Sequence, residues 1–296
     1  MKLALIYNPV AAHGRAAKWL PSVTELFKER GIELHTFQTA QRGHAVELTA
    51  ALNFENYDGV VAGGGDGTLF EVLNGYFWNN STRTIPLGIL PVGTGNAFIR
   101  DMEPEVKDWR EAVEIICQNK PRRVDVGRFV TQGQTFYYLN ILGLGFVADV
   151  GTTAQKLKFI GNLSYTLGVI WRTVFLRAYS LTIELDGVVL QRENIFVEIS
   201  NSRWTSNFLM APHAQIDDGL LDVTLVRKLS RRRLLQCFPK IFTGEHTTMP
   251  EVEQFQVKHI RIETAKPKIL TPDGELLGST PLEVECLPQA LEVFWR

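Results

Sequence analysis

Apolar positions follow two different rhythms along this chain, and the change falls near residue 123. In the first part short apolar runs alternate with helical spacing. Leu3 to Tyr7 reads as a strand stopped by Asn8-Pro9, and Trp19, Val23, Leu26 and Phe27 give a helix ended near Gly31. Ile32 to Phe37 predicts a second strand and Gly43 to Leu52 a second helix. Val60, Val61 and Ala62 make a third strand, followed at once by four glycines around Asp66. Leu69, Val72, Leu73, Tyr76 and Phe77 then repeat at helical spacing, so a helix with one buried face follows, with Thr68 at its cap. Ile85 to Leu90 predicts a fourth strand, and Trp109, Ala112, Val113 and Ile116 one more helix.

Alternating strand and helix predicts a parallel sheet wrapped by helices. Ligands of such sheets sit beyond the C-terminal strand ends, where Asn8, Thr39, the Gly63 to Thr68 loop and the Gly93 to Asn96 loop all fall. After Val124 the period becomes two: Leu181, Ile183, Leu185; Leu221, Val223, Leu225; Ile260, Ile262; Leu282, Val284, Cys286. Asp-Gly turns at 186–187 and 273–274 add to the signature of an antiparallel sandwich or open barrel. Helical stretches are expected between Gly151 and Arg177 and over the basic Arg227 to Lys240. The predicted division is therefore 1–123, an α/β domain, and 124–296, a β-rich domain whose last strand is a candidate to return to the first.

Composition narrows the classes. With 45% apolar and 21% charged residues the chain is an ordinary globular protein, and its formal net charge of −1 selects no polyanion, which argues against nucleic acid. Three cysteines without C-x-x-C spacing argue against disulfides or zinc, and for a reducing cytoplasm. The opening apolar run is too short for a signal peptide, and the richest apolar stretch, Leu163 to Leu181, holds Arg172 and Arg177, so no membrane span is expected.

Strand, glycine turn and helix from Tyr57 to Gly75 point backbone N–H groups and a helix dipole at the space above the strand, a place for phosphate oxygens. Gly63, Gly64, Gly65 and Gly67 would permit close approach and positive φ. Asp66 needs a cation or donor between itself and a phosphate. A tight turn without ligand is the plain alternative. No Walker lysine is present, and Gly63-x-Gly65-x-x-Thr68 misses the third glycine of the dinucleotide fingerprint. Gly143-x-Gly145-x-x-Ala148 matches that fingerprint, but in the antiparallel half. Asp273-Gly274-Glu275 and Asp217-Asp218-Gly219 read either as turns with exposed acids or as oxygen ligands for a hard cation. The six histidines show no metal-ligand spacing, and no G-x-S-x-G elbow exists.

In family order, Tyr7-Asn8-Pro9, Gly63-Gly64-Gly65-Asp66-Gly67-Thr68, Pro91-Val92-Gly93-Thr94-Gly95-Asn96-Ala97-Phe98, Arg123 to Gly127, Leu139 to Phe146, Ala214 to Asp222 and Pro272-Asp273-Gly274-Glu275 together resemble the diacylglycerol kinase catalytic-domain family, which includes sphingosine kinases and bacterial lipid kinases. The resemblance implies an N-terminal nucleotide domain and a C-terminal antiparallel β domain with an active-site cleft between them. It implies ATP phosphates on Gly64 to Thr68 with Thr39 and Thr94 lining the nucleotide site. Glu275 would be the general base supported by Asp273, and Mg2+ would be held by Asp218 with the carbonyls of Gln215 and Leu220. The sequence departs from the family's G-T-x-N-D-F form at Ala97. A lipid hydroxyl at a membrane surface would be the acceptor. Apart from the resemblance, the basic Arg227 to Lys240 stretch, interleaved with apolar residues, reads either as a peripheral contact on anionic lipid or as a solvated basic helix face over ordinary core. An NAD kinase-like enzyme and an inactive nucleotide- or lipid-binding protein are the alternatives.

Overall fold

The computed structural model describes residues 1–145 and 178–296. The helical stretch expected at 151–177 and residues 146–148 of the second glycine match lie outside the described residues. The chain forms two compact units: Met1–Val126 with Gln289–Arg296, and Gly127–Pro288.

The first unit alternates strand and helix: β1 (Lys2–Tyr7), α1 (Arg15–Glu29), β2 (Glu33–Gln38), α2 (His44–Ala50), β3 (Gly59–Gly64), α3 (Asp66–Phe77), β4 (Leu87–Pro91) and α4 (Trp109–Gln118). β5 (Pro121–Thr131) then leads onward. All neighbours in the order β4-β3-β1-β2 are parallel, and the C-terminal end of the final strand adds beside β4 through Val293 and Leu87. β1 and β3 are buried along almost their whole length, as strands covered on both faces must be. The chain steps from β1 one way to β2, then back across to β3. The loops after β1 and β3 therefore open at a topological switch point.

α3 departs from the expected single buried face: Leu69, Phe70, Val72, Leu73, Asn74, Gly75 and Tyr76 are all buried. The reason is α2, which packs along α3 in addition to the sheet. A Cβ on Gly75 would lie 2.5 Å from the carbonyl oxygen of Val46, so glycine is what lets the helices meet. Thr68 is not the cap either. The helix begins at Asp66 with Gly65 at the N-cap and no side-chain cap.

The second unit is antiparallel. β6 (Gln134–Tyr138) pairs with β5, and β7 (Ile141–Gly145) lies between β9 and β15. β8 (Tyr179–Leu185) and β9 (Val188–Ser200) form a hairpin at Asp186-Gly187, whose φ values of 47° and 87° are those of the tight turn an Asp-Gly pair favours. β10 (Trp204–Thr205) and β11 (Phe208–Leu209) make a small second hairpin. β12 (Leu221–Arg227) runs between β9 and β13 (Val252–Val257), and α5 (Arg231–Cys237) lies between β12 and β13 in sequence. β14 (His259–Thr264), β15 (Leu270–Pro272) and β16 (Leu282–Phe294) complete the order. β14 pairs with β8 and β16. β7 is wholly buried and β12 is buried except at Arg227, so the core lies on both sides of this layer.

Candidate functional site

The rim of the first unit gathers the residues that follow its parallel strands. Asn8 leaves β1 and donates its backbone N–H to the Gly63 oxygen at 2.8 Å; its Nδ2 donates to Thr68 Oγ1 at 3.1 Å, and its Oδ1 accepts from the Val10 amide. Thr39 continues from β2 with its amide on the Tyr7 oxygen. Val92, after β4, donates to the Gly64 oxygen at 3.1 Å. Asn96 closes the Gly93-Thr94-Gly95 turn by donating Nδ2 to the Gly93 oxygen, in a left-handed conformation with φ 52°. Asp66 turns its carboxylate to the Ala97 amide at 2.6 Å, and burial pushes its pKa up to about 6. Asp66 thus ties the loop after β3 to the loop after β4.

The glycines do something other than what their density suggests. None of Gly63, Gly64, Gly65 and Gly67 has positive φ. A Cβ on Gly63 would stand 2.6 Å from the Tyr7 ring, and one on Gly64 would stand 2.2 Å from Thr68 Oγ1. On Gly93 it would fall 2.3 Å from the Gly65 Cα. Close approach is the requirement, and at these three positions the approaching atoms belong to the chain itself. The result is a rim edged by backbone, above the uncapped N-terminus of α3, where the first N–H groups of a helix lack intrahelical partners. The Asn96 Oδ1 atom is buried with no hydrogen-bond donor, an acceptor left for a ligand's donor or a cation.

In the second unit Asp273 and Glu275 share one turn. Asp273 is buried at φ 45° and Gly274 follows at 84°. The Asp273 carboxylate accepts from three successive amides: Leu139 at 3.2 Å, Asn140 at 3.0 Å and Ile141 at 3.0 Å. Its own amide donates to the Ile141 oxygen at 2.9 Å, and the Glu275 amide donates to Pro272. From the other side Asn201 Nδ2 donates to the Leu139 oxygen, while the Asn201 and Ser202 amides donate to Asn140. The acid that stands at the head of this turn is therefore a clamp on the β6–β7 connection. Glu275, two residues on, is half-buried.

The loop before β12 carries Gln215, Asp218 and Leu220. Asp218 is exposed and its Oδ1 accepts from the Leu220 amide at 3.0 Å, across Gly219 with φ 75°. Asp222, buried at the start of β12, has its pKa pushed up to about 6 by burial; the Gln256 side chain opposes this, the Asp218 charge adds to it and His213 opposes it. A buried carboxylate with a second carboxylate's charge close by suits a hard cation, which would relieve the repulsion on Asp222. Among the described residues no cluster of three or more His, Cys, Asp or Glu side chains forms a metal cage.

Two acids were not singled out by sequence pattern. Glu71 on α3 accepts from the Gly43 amide at 2.7 Å and the Ala45 amide at 3.2 Å, capping α2, which has no capping side chain of its own. That gap at Gly43-His44 was the available signal. Glu198 on β9 is buried, with Ser200 and Thr205 hydroxyls on its Oε1 atom, and burial pushes its pKa up to about 7.

The first unit is a parallel-sheet unit with an open helix N-terminus at its switch point, the second an antiparallel unit bearing an Asp-Gly-Glu turn, and comparison with known proteins matches each. The diacylglycerol kinase catalytic domain model matches residues 2–129, and the YegS C-terminal NAD kinase beta sandwich-like domain model matches residues 140–295. A diacylglycerol kinase of Staphylococcus saprophyticus is 30% identical over 98% of this chain and 94% of its own length; one from Mycobacterium tuberculosis is 28% identical over 99% and 94%. A solved Bacillus anthracis structure described as a diacylglycerol kinase aligns with TM-score 0.76 at 24% identity, covering 100% of this chain and 97% of that one. The chain belongs to the diacylglycerol kinase family, and its homologues support a lipid kinase. No helix among the described residues is long and apolar enough to cross a membrane.

Proposed function

We propose that this protein transfers the γ-phosphoryl group of ATP to the hydroxyl of a lipid such as a diacylglycerol, a sphingoid base or phosphatidylglycerol, at a bilayer surface. The observation that carries the reading is the backbone-edged rim over the start of α3, which has no capping side chain: N–H groups without intrahelical partners and the positive end of a dipole suit triphosphate oxygens. Asn8, Thr39, Gly63 to Thr68 and Gly93 to Asn96 line it. Glu275 receives the proton of the attacking hydroxyl, and Asp273 acts on it by fixing the turn. Asp218, with the Gln215 and Leu220 carbonyls, would hold Mg2+ beside Asp222; such an ion supplies charge neutralisation.

Phosphoryl transfer depends chiefly on positioning and electrostatics, so a rigid rim and one carboxylate suffice on the protein's side. Labelled ATP offered with a lipid panel and, separately, with NAD tests the reading. Label in a lipid product that needs Mg2+ supports it. Label in NAD alone would favour the NAD kinase-like alternative, which the sandwich of the second unit keeps in view.

A further inference from the structure

Of the six basic residues in the Arg227 to Lys240 stretch, three belong to the fold. Arg227 pairs with Glu253 at 3.2 Å, Lys228 with Glu193 at 3.7 Å, and Arg233 with Glu251 at 2.8 Å, the last through two nitrogens. The apolar residues divide in the same way. Leu234 is buried in a cluster with Ile195, Phe196, Phe208, Met210 and Val226, against which Leu229, Phe238 and Ile241 pack. What remains outward on the helix is one face. Arg231 and Arg232 are exposed and have no hydrogen-bond or ion-pair partner among the described residues. Leu235 is 48% exposed and Phe242 46% exposed, although Phe242 rests one side against the Phe208 ring at 4.9 Å. Arg231 and Leu235 are four apart and Arg232 and Leu235 three apart, so they are neighbours on the helix surface.

From this face we infer that α5 and the turn after it (Phe238–Phe242) dock the enzyme on an anionic bilayer, with Leu235 and Phe242 entering the headgroup layer and Arg231 and Arg232 meeting lipid phosphates. The inference rests on the lipid-kinase reading for its purpose, not for its chemistry. Two cations without counter-ions among the described residues, on a helix face with Leu235 and followed in the chain by a half-exposed phenylalanine, is the pairing that interfacial segments use. The aromatic anchor is held firm by its ring contacts below, so presenting it costs little ordering on binding. Charge complementarity favours an anionic lipid surface over an apolar protein partner, because the arginines that neighbour Leu235 pair with no carboxylate among the described residues.

The test compares the parent with the double variant Arg231→Gln, Arg232→Gln on vesicles of phosphatidylcholine with and without phosphatidylglycerol, by co-sedimentation at low and high salt. A second pair, Lys258→Gln with Lys266→Gln, controls for net charge, and thermal melting confirms that the variants are folded. Each basic residue near an anionic surface is worth about fivefold in partition, so the double variant should bind anionic vesicles about 25-fold more weakly. The gap should close at high salt, and the control pair should bind like the parent. Equal binding by parent and double variant at low salt, an equal loss in the control, or no vesicle binding by the parent would each overturn the surface. Activity on a soluble short-chain diacylglycerol separates the two readings. Parent and variant should phosphorylate it alike; a parent that binds vesicles but phosphorylates no lipid would fail the kinase reading alone.

Discussion

The rim of the first unit and the Asp-Gly-Glu turn of the second solve the same problem, holding a loop rigid, with opposite means. The rim is built by subtraction: Gly63, Gly64 and Gly93 let backbone and ring atoms close to distances a Cβ would forbid. The turn is built by addition, one buried carboxylate satisfying three amides. Subtraction leaves the start of α3 without a capping side chain, which suits the part proposed to receive phosphate. Addition consumes its acceptors, so Asp273 has its oxygens engaged by three amides, and the proton-accepting task is proposed for Glu275 instead.

Asp273→Asn puts an amide donor against backbone donors and should cause the largest loss, about 3–5 kcal/mol of stability, because the three N–H groups lose a charged acceptor inside the core. Denaturant unfolding measures it, and a loss under about 1 kcal/mol would mean that the clamp is ornamental.

Glu198 sharpens the contrast, since it is a buried carboxyl with hydroxyl donors instead of amides. Burial raises it from 4.5 to about 7, so between those values the native state holds a proton that the unfolded chain has released. Stability must then fall as pH rises through that window and level off above it. Asp66 and Asp222, each raised from 3.8 to about 6, add slope of the same sign over a lower window. Glu198→Gln removes only its own part, and at pH 8 the variant should be more stable than the parent by on the order of 3 kcal/mol. Melting curves from pH 5 to about 8 read this out; parallel curves for the two proteins would contradict it.

The smallest stability effect is expected at the rim. Gly93→Val forces the Gly65 backbone away and should cost about 1–3 kcal/mol of overpacking, yet nucleotide affinity by calorimetry should suffer more than the fold does. Unchanged ATP affinity in a folded variant would mean that the two loops meet for stability only.

The alternation of strand and helix, and the period-two strands after it, could be read from the sequence because both rest on spacing within a few residues. Boundaries moved by one or two positions, as at β2 and β4, where frayed ends carry no periodic signal. The Thr68 cap failed for a physical reason: Gly64 needs the space beside the Thr68 side chain, and Asn8 takes its hydroxyl. Long-range side-chain to backbone bonds were invisible. Asp273 reaches amides more than 130 residues away, and nothing in a D-G-E triplet announces that. The basic stretch misled in the other direction, since Arg227, Lys228 and Arg233 look free in sequence and are paired in space.

Proton transfer from a lipid hydroxyl to Glu275 is the step we propose at the centre of the reaction. Its most direct test is single-turnover transfer from labelled ATP to the preferred lipid by Glu275→Gln, which keeps the side chain's shape and removes its basicity. Turnover should fall about 10²-fold or more with ATP affinity little changed. Near-normal transfer by the folded variant would contradict the account.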